Sequence, residues 1–337
     1  MAFVIFKAND FSEVEEKGSG TESRIFRAYT ERFGYIAVKE YTKNIGAKDL
    51  KEIKLLKEHC HHPNIVDIYG LLMVDRIGQS PSCSGYIMEF MPMGSLDNVI
   101  YDAKYDYAWI QIAYWTQQIA GGLEYLHSQT IIHMGIKPKN LLLSSLYYLK
   151  ISDFGIARSL DMEILTSDLG TVDYMAPEVV RDRKYDFSAD RYSFTITLWE
   201  IIHRRKPYSH LAPLSNYDKL TKVLAGTRPL LDERLTPESV SLLQRGWSHS
   251  FSERPLLEEF SSYCEALLEQ SYGMGSYYEL DSTTSRQSHY ERLSQTTSIQ
   301  DSGHPNKWTS MKTNTKHEEF VKSGASIKRN DQRLRFV

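Results

Sequence analysis

The chain has 337 residues, of which 41% are hydrophobic and 12% aromatic, enough apolar material for a large folded body of two lobes. Its 40 basic and 43 acidic residues give a net charge of −3, which argues against nucleic acid as a partner. The cysteines, Cys60, Cys83 and Cys264, are far apart and predict neither a disulfide framework nor a zinc site. Because no signal peptide or membrane-spanning apolar run is visible, we expect a cytoplasmic protein.

Two changes in composition divide the chain. Apolar residues recur with helix or strand periods over 10–268, whereas residues 271–337 are rich in Ser, Thr, Gln, Asn and His and have little hydrophobic pattern. Within the patterned part, a strand-like apolar run at 86–90 ends in helix- and strand-breaking residues, which is typical of a hinge. The pattern predicts a small lobe over 10–90, a larger lobe over 91–268, and a disordered Ser/Thr-rich tail.

The first chemical motif is a glycine-rich stretch near the start of the small lobe. Gly18 and Gly20 flank Ser19, and glycines at this spacing let backbone N–H groups approach a phosphate without a Cβ in the way. The same spacing occurs in many hairpin turns. Taken alone, the motif therefore leaves both a phosphate site and an ordinary turn open.

A strand and a helix follow in the small lobe. The sequence Ile36-Ala37-Val38-Lys39 alternates like a strand and ends in a lysine. Residues 49–58 have apolar residues at 50, 53, 55 and 56 and predict an amphipathic helix. Glu52 in that helix is the candidate to pair with Lys39 and hold its ammonium against phosphate groups. A solvated lysine and a surface glutamate are the alternatives.

The larger lobe carries the remaining motifs. Residues 109–127 have the apolar period of a long buried helix. After them come His133-Met134-Gly135-Ile136-Lys137-Pro138-Lys139-Asn140, two short predicted strands at 141–143 and 148–151, and Asp153-Phe154-Gly155. A carboxylate on a tight turn after a strand suits a magnesium ion bound to phosphate, because this hard cation prefers oxygen ligands.

The order and spacing of these motifs, with Ala176-Pro177-Glu178 after them, make residues 10–268 resemble a eukaryotic protein kinase. The resemblance implies an α+β fold of two lobes, a small β-rich one and a larger helical one. It also implies that Asp190 braces the catalytic loop at 133–140, and that Arg254 pairs with Glu178.

The resemblance further implies a site for ATP and Mg²⁺. Its catalytic residues would be Lys39, Glu52, Lys137, Asn140 and Asp153, of which Asn140 and Asp153 would hold the metal ion. The residues expected to contact ATP lie in the glycine stretch, the small-lobe strands, the hinge and the strand after the catalytic loop: Gly18, Ser19, Gly20, Ile25, Ala37, Lys39, Glu89, Met91 and Leu142.

The catalytic loop departs from the family pattern at two positions. Gly135 stands where the family has the aspartate that accepts the proton of the substrate hydroxyl. Met134 replaces an arginine that holds a phosphorylated activation loop in many kinases. Three hypotheses follow: an ATP-binding pseudokinase that acts through partner contacts, an active but slow serine/threonine kinase, and a scaffold that binds no nucleotide.

Other segments narrow the resemblance. Lys137 and Gly170-Thr171 are typical of serine/threonine kinases. Three stretches, at 94–99, 199–208 and 226–229, are similar to the TGF-β-activated kinase type of mitogen-activated protein kinase kinase kinase, in the tyrosine-kinase-like group. This similarity implies protein partners or substrates in a JNK-type signalling cascade.

Overall fold

The computed structural model describes residues 4–20, 23–42, 50, 53, 57, 61–74, 82–153, 172–181 and 186–273. Several residues that the sequence singled out lie outside these described residues: Glu52, Cys60, Phe154, Gly155, Gly170 and Thr171. The predicted tail also lies outside them, apart from its first three residues.

The small lobe is built on a six-stranded sheet. Its strands are β1 (Val4–Phe6), β2 (Ser12–Ser19), β3 (Ser23–Thr30), β4 (Gly34–Tyr41), β5 (Ile68–Val74) and β6 (Ser82–Glu89). Their spatial order is β1-β5-β6-β4-β3-β2. The β1 strand pairs parallel with β5, and the other neighbouring strands are antiparallel.

Each face of this sheet covers a different hydrophobic cluster. Successive side chains of a strand point to opposite faces, so β4 places Ile36 and Val38 in an outer cluster and Ala37 in the main core. The outer cluster is completed by Phe6, whose ring stacks on Phe11 at 5.8 Å between centroids. The segment that begins with β1 therefore belongs to the folded small lobe.

The larger lobe is helical. Its helices are α1 (Leu96–Tyr101), α2 (Trp109–Ser128), α3 (Pro177–Arg181), α4 (Ser188–His203), α5 (Asn216–Leu224), α6 (Pro237–Gly246) and α7 (Leu257–Gly273). A small antiparallel sheet lies at the junction with the small lobe, formed by β7 (Gly94–Ser95), β8 (Leu141–Leu143) and β9 (Leu149–Ile151). The predicted architecture of a β-rich small lobe and a larger helical lobe is confirmed.

Helices α2 and α4 form the centre of the large lobe. Trp115, Ile119 and Leu123 of α2 are fully buried, and α7 packs along the same helix. The α4 helix is buried along almost its whole length, which suits a helix at the middle of a lobe. The final helix continues to Gly273, past the boundary near residue 268 that the composition predicts. Among the described residues, no helix has the length and hydropathy needed to cross a bilayer.

Candidate active site

A buried carboxylate binds the backbone of the catalytic loop. Asp190 of α4 is fully buried, and its two oxygens accept hydrogen bonds from the backbone N–H groups of His133 and Met134, each at 2.8 Å. Its Oδ2 also lies 2.9 Å from Nε2 of His127. Met134 has a left-handed backbone with φ +59°, which is unfavourable for a side chain of this size. The bonds to Asp190 stabilise this conformation.

Hydrogen bonds within the loop fix the protonation of His133. The backbone N–H of Gly135 donates to His133 Nδ1 at 3.2 Å, so Nδ1 is an acceptor and Nε2 carries the proton that is donated to the Ser152 carbonyl, 3.1 Å away. Burial lowers the pKa of His133, which favours this neutral form. The imidazole is thus a structural link between the catalytic loop and the turn before Asp153.

Asn140 and Asp153 are brought together by neighbouring backbone bonds. Ser152 donates to the Asn140 carbonyl oxygen from its backbone N–H, at 2.8 Å, and from its hydroxyl, at 3.0 Å. The side-chain amide of Asn140 donates to the Gly135 carbonyl oxygen at 2.8 Å. Because the nitrogen is engaged there, the amide oxygen is the atom left to contact a cation.

Lys39 and Asp153 form an ion pair across the two lobes. Nζ of Lys39, a residue only 8% exposed at the end of β4, donates to Oδ1 of Asp153. Burial by itself would raise the pKa of the Asp153 carboxyl, but the charge and hydrogen bond of Lys39 outweigh it and hold the pKa below its ordinary value. Asp153 is therefore ionised at neutral pH, as a magnesium ligand must be.

The side-chain oxygen atoms of Asp153 and Asn140 suit a magnesium ion. The carboxylate of Asp153 and the amide oxygen of Asn140 are hard donors, and Mg²⁺ is commonly bound by one or two such protein groups together with substrate phosphates. Lys137, a partly buried cation of the same loop, also lowers the pKa of Asp153 through its charge. The expected partner of Lys39, Glu52, lies outside the described residues.

The glycine stretch lies at the end of β2, where Gly18 and Ser19 are the last two residues of the strand and Gly20 follows it. Gly18 and Ser19 pair with Ile25 and Arg24, and the Gly20 N–H donates to the carbonyl oxygen of Ser23 at 2.8 Å. A Cβ built on Gly18 would meet no atom within 4 Å, so its backbone is open on that side. A ligand could therefore approach the backbone at Gly18 from that side.

Apolar side chains and one ion pair line the region between the lobes. Ala37 and Met91 are buried in the main core, while Ile25 and Leu142 are partly buried against it. Glu89, at the end of β6, is bonded by its Oε2 to Nζ of Lys150 in β9 at 2.6 Å.

Sequence reasoning missed two features of this site. No local pattern relates Lys150 to Glu89, which is 61 residues earlier in the chain. The rings of Tyr41 and Tyr86 lie 5.5 and 5.9 Å from Nζ of Lys39, and they also went unrecognised. Their position follows from strand pairing, since Lys39 lies opposite Tyr86 across the sheet.

Comparison with known proteins agrees with this geometry. Residues 12–263 match the family described as protein tyrosine and serine/threonine kinase. The chain belongs to the protein kinase family. Within this chain, the match covers most of both lobes and includes the catalytic loop and the Lys39–Asp153 pair.

Mitogen-activated protein kinase kinase kinases are among its relatives. Mitogen-activated protein kinase kinase kinase 7 of Mus musculus is 31% identical over 340 residues, which cover 98% of this chain and 56% of the relative. The kinase mom-4 of Caenorhabditis elegans, which bears the same class name, is 31% identical and is covered to 49% of its length. The serine/threonine-protein kinase STY46 of Arabidopsis thaliana is also 31% identical, over 68% of this chain and 38% of its own. The chain thus spans between 38% and 56% of the length of these relatives.

Proposed function

We propose that this member of the protein kinase family binds Mg-ATP and acts in signalling as a pseudokinase or a very weak serine/threonine kinase. Lys39 would contact the α- and β-phosphates, and Asn140 and Asp153 would hold the magnesium ion that bridges the phosphates. ATP would lie between the glycine stretch at 18–20 and the hinge after Glu89. The likeness to mitogen-activated protein kinase kinase kinases supports protein partners of a kinase cascade. We place this role in the cytoplasm and in a cascade of the JNK type, as the sequence resemblance implies.

One observation carries the proposal: Gly135 replaces the proton acceptor in a site whose other described groups are in position. General-base catalysis contributes about 10²–10⁴-fold, or roughly 3–5 kcal/mol of the barrier. Phosphoryl transfer depends mainly on positioning and on charge stabilisation, so loss of the base reduces the rate without removing the nucleotide site.

The second candidate is an active serine/threonine kinase that phosphorylates a downstream kinase. The Lys39–Asp153 pair and the bond from Asn140 to the Gly135 carbonyl favour it, because the parts that position phosphate and metal are kept. A scaffold that binds no nucleotide is the third. The following two experiments separate the three.

Nucleotide binding is tested by thermal unfolding of the full chain with and without Mg-ATP. We expect Mg-ATP to raise the melting temperature of the intact chain and to have no effect on Lys39→Ala, which lacks the ammonium at the phosphates. Lys222→Ala, which removes an exposed lysine of α5, is the matched control and should respond like the intact chain. An intact chain that gives no shift would favour the scaffold.

Transfer is tested with Mg-ATP and a library of serine- and threonine-containing peptides, comparing the intact chain with Gly135→Asp and Asp153→Ala. A Cβ on Gly135 would lie 3.3 Å from Asn140 Nδ2, a tight contact that requires the Asn140 amide to shift by a few tenths of an ångström, and the glycine does not have a left-handed φ. A pseudokinase shows activity no higher than Asp153→Ala and gains about 10²-fold or more in Gly135→Asp. Intact-chain activity clearly above Asp153→Ala establishes the active kinase instead.

A further inference from the structure

A second group of charged and aromatic side chains lies in the large lobe near the catalytic loop. The Glu200 carboxylate is fully buried and accepts hydrogen bonds from the hydroxyls of Tyr101 and Tyr174. Nζ of Lys206 lies 3.2 Å from Glu200 Oε1, 2.6 Å from Asp97 Oδ1 and 4.4 Å from the ring centre of Tyr101. We call this arrangement the Lys206 pocket: its walls are Asp97, Tyr101, Tyr174 and Glu200, and Lys206 occupies it.

Two contacts place the Lys206 pocket beside the catalytic loop. Thr197 of α4 donates from its hydroxyl to the carbonyl oxygen of Ile136 at 3.3 Å, and Ile136 follows Gly135 directly. Glu200 is three residues further along α4, within one helical turn. Helix α1, which carries Asp97 and Tyr101, packs against the 138–140 turn. A peptide whose hydroxyl reaches Gly135 would therefore pass the pocket within a few residues, at about 3.3 Å per residue when extended.

The side chain that occupies the Lys206 pocket indicates which kind of group the pocket binds. Two carboxylates and the face of an aromatic ring surround an alkylammonium group, an environment that suits the cationic side chain of a lysine or arginine. Lys206 is 50% exposed at its side chain, so it lies in the mouth of the pocket and covers Glu200 from solvent. A peptide cation would have to displace it.

The segment that carries Lys206 is anchored to α1. The guanidinium of Arg204 donates to the carbonyl oxygens of Ile100, at 3.0 Å, and Asp102, at 3.2 Å. Arg204 also lies over the ring of Tyr107, 4.6 Å from its centre. These contacts hold the backbone two residues before Lys206 against the wall of the pocket, which keeps the ammonium at high local concentration.

We propose that Lys206 fills a cation-binding pocket beside the catalytic loop and thereby makes this site reject acceptor peptides with a lysine or arginine at the position that faces the pocket. The inference rests on the proposed function, because it concerns the peptide that the kinase site would take. It names the acceptor class: peptides that are neutral or acidic at that position. Removal of Lys206 opens the pocket and reverses the preference.

The test measures peptide binding, which does not depend on phosphate transfer. The peptides are labelled with fluorescein, are rich in alanine and have a central serine. Each peptide carries a single arginine, at a different position before or after the serine. Their Kd values are measured by fluorescence anisotropy in Mg-ATP. We expect Lys206→Ala to bind the peptide with arginine at one position about tenfold more tightly than the peptide without arginine. Intact protein and Lys206→Arg, which keeps a cation in the mouth, should show no such preference.

A second pair of variants assigns the effect to the pocket. Adding Asp97→Asn to Lys206→Ala removes one carboxylate and should abolish the gain, while Lys222→Ala alone should leave peptide binding unchanged. Lys206→Ser serves if Lys206→Ala does not fold. A gain that is equal at every arginine position, or no gain in a folded Lys206 variant, overturns the inference. The melting shift with Mg-ATP, measured on the same preparations, reports separately whether the proposed nucleotide function has failed.

Discussion

At the scale of single residues, the catalytic loop keeps its conformation although two of its side chains depart from the family pattern. The bonds to Asp190 come from backbone N–H groups of residues 133 and 134, so they do not depend on the side chain at Met134. Gly135 keeps its own N–H bonded to His133. The loop thus keeps its backbone conformation and lacks one carboxylate and one guanidinium of the family pattern, and restoring the carboxylate tests its share in catalysis.

A partly buried histidine gives the fold a pH dependence. His62 stacks on Tyr125, with ring centres 5.0 Å apart, and its Nδ1 accepts the N–H of Asn64 at 3.1 Å. Burial, with a smaller contribution from the charge of Lys150, lowers the pKa of His62 to about 4. A folded-state pKa below the ordinary value of 6.5 means that the unfolded chain binds more protons, so this contribution is full above pH 6.5 and is lost as the pH falls towards 4.

The prediction for His62 concerns the free energy of unfolding. Urea unfolding should show that His62 accounts for a loss of about 2 kcal/mol in the free energy of unfolding between pH 6.5 and 4. His62→Phe keeps an aromatic ring on Tyr125 but removes the acceptor of the Asn64 N–H, so it should be less stable at neutral pH. Because phenylalanine does not titrate, the variant should also have a flatter pH dependence. An equally steep dependence in the variant would contradict the assignment.

At the scale of elements, strand β1 depends on one glycine of its neighbour. A Cβ on Gly70 of β5 would lie 2.2 Å from the backbone oxygen of Val4 and 2.7 Å from the ring of Phe6. Neither can move without breaking the β1–β5 pairing that holds Phe6 in the outer cluster. The short strand therefore needs glycine at this position.

Gly70→Ala should consequently displace β1. We expect it to lower the free energy of unfolding by about 1–3 kcal/mol and to abolish the hydrogen-exchange protection of residues 4–6. Gly18→Ala is the control, because a Cβ there meets nothing within 4 Å. Retained protection at residues 4–6 in Gly70→Ala would show that the sheet absorbs the methyl group elsewhere.

Elements with a strong local apolar pattern could be predicted from the sequence, and elements that depend on distant contacts could not. The helix expected at 109–127 is α2, and the strands expected at 141–143 and 148–151 are β8 and β9. Their apolar periods are local and strong. The three-residue β1 and the six-residue α1 were missed, because their stability comes from contacts with residues distant in the sequence, such as the parallel pairing with β5.

The same distinction holds for the candidate site. Motif spacing predicts Lys39, Asn140 and Asp153, and the structure brings Lys39 to Asp153 across 114 residues of sequence. The Lys206 pocket could not be predicted, since Asp97 and Lys206 are 109 residues apart and neither of the stretches that contain them, 94–99 and 199–208, indicates a contact with the other. Charged side chains of this kind look like solvated surface until the fold places them together.

At the scale of the whole molecule, polar contacts join the two lobes where the nucleotide would bind. Lys39 of the small lobe meets Asp153 of the large one, and Glu89 at the hinge meets Lys150 in β9. A ligand that contacts both lobes stabilises each of them, because the unfolding of either lobe loses the free energy of binding. The number of unfolding transitions that ATP shifts therefore reports how the lobes are coupled.

We predict one shared transition. At Mg-ATP concentrations of 100 times Kd, the free energy of unfolding should rise by about 2.7 kcal/mol, and exchange should slow both in β4 and at residues 141–153. Glu89→Gln, which removes the charge opposite Lys150, should weaken this coupling while leaving Lys39 and Asp153 in place. Protection that appears in only one lobe of the intact chain would mean that the nucleotide is held by that lobe alone.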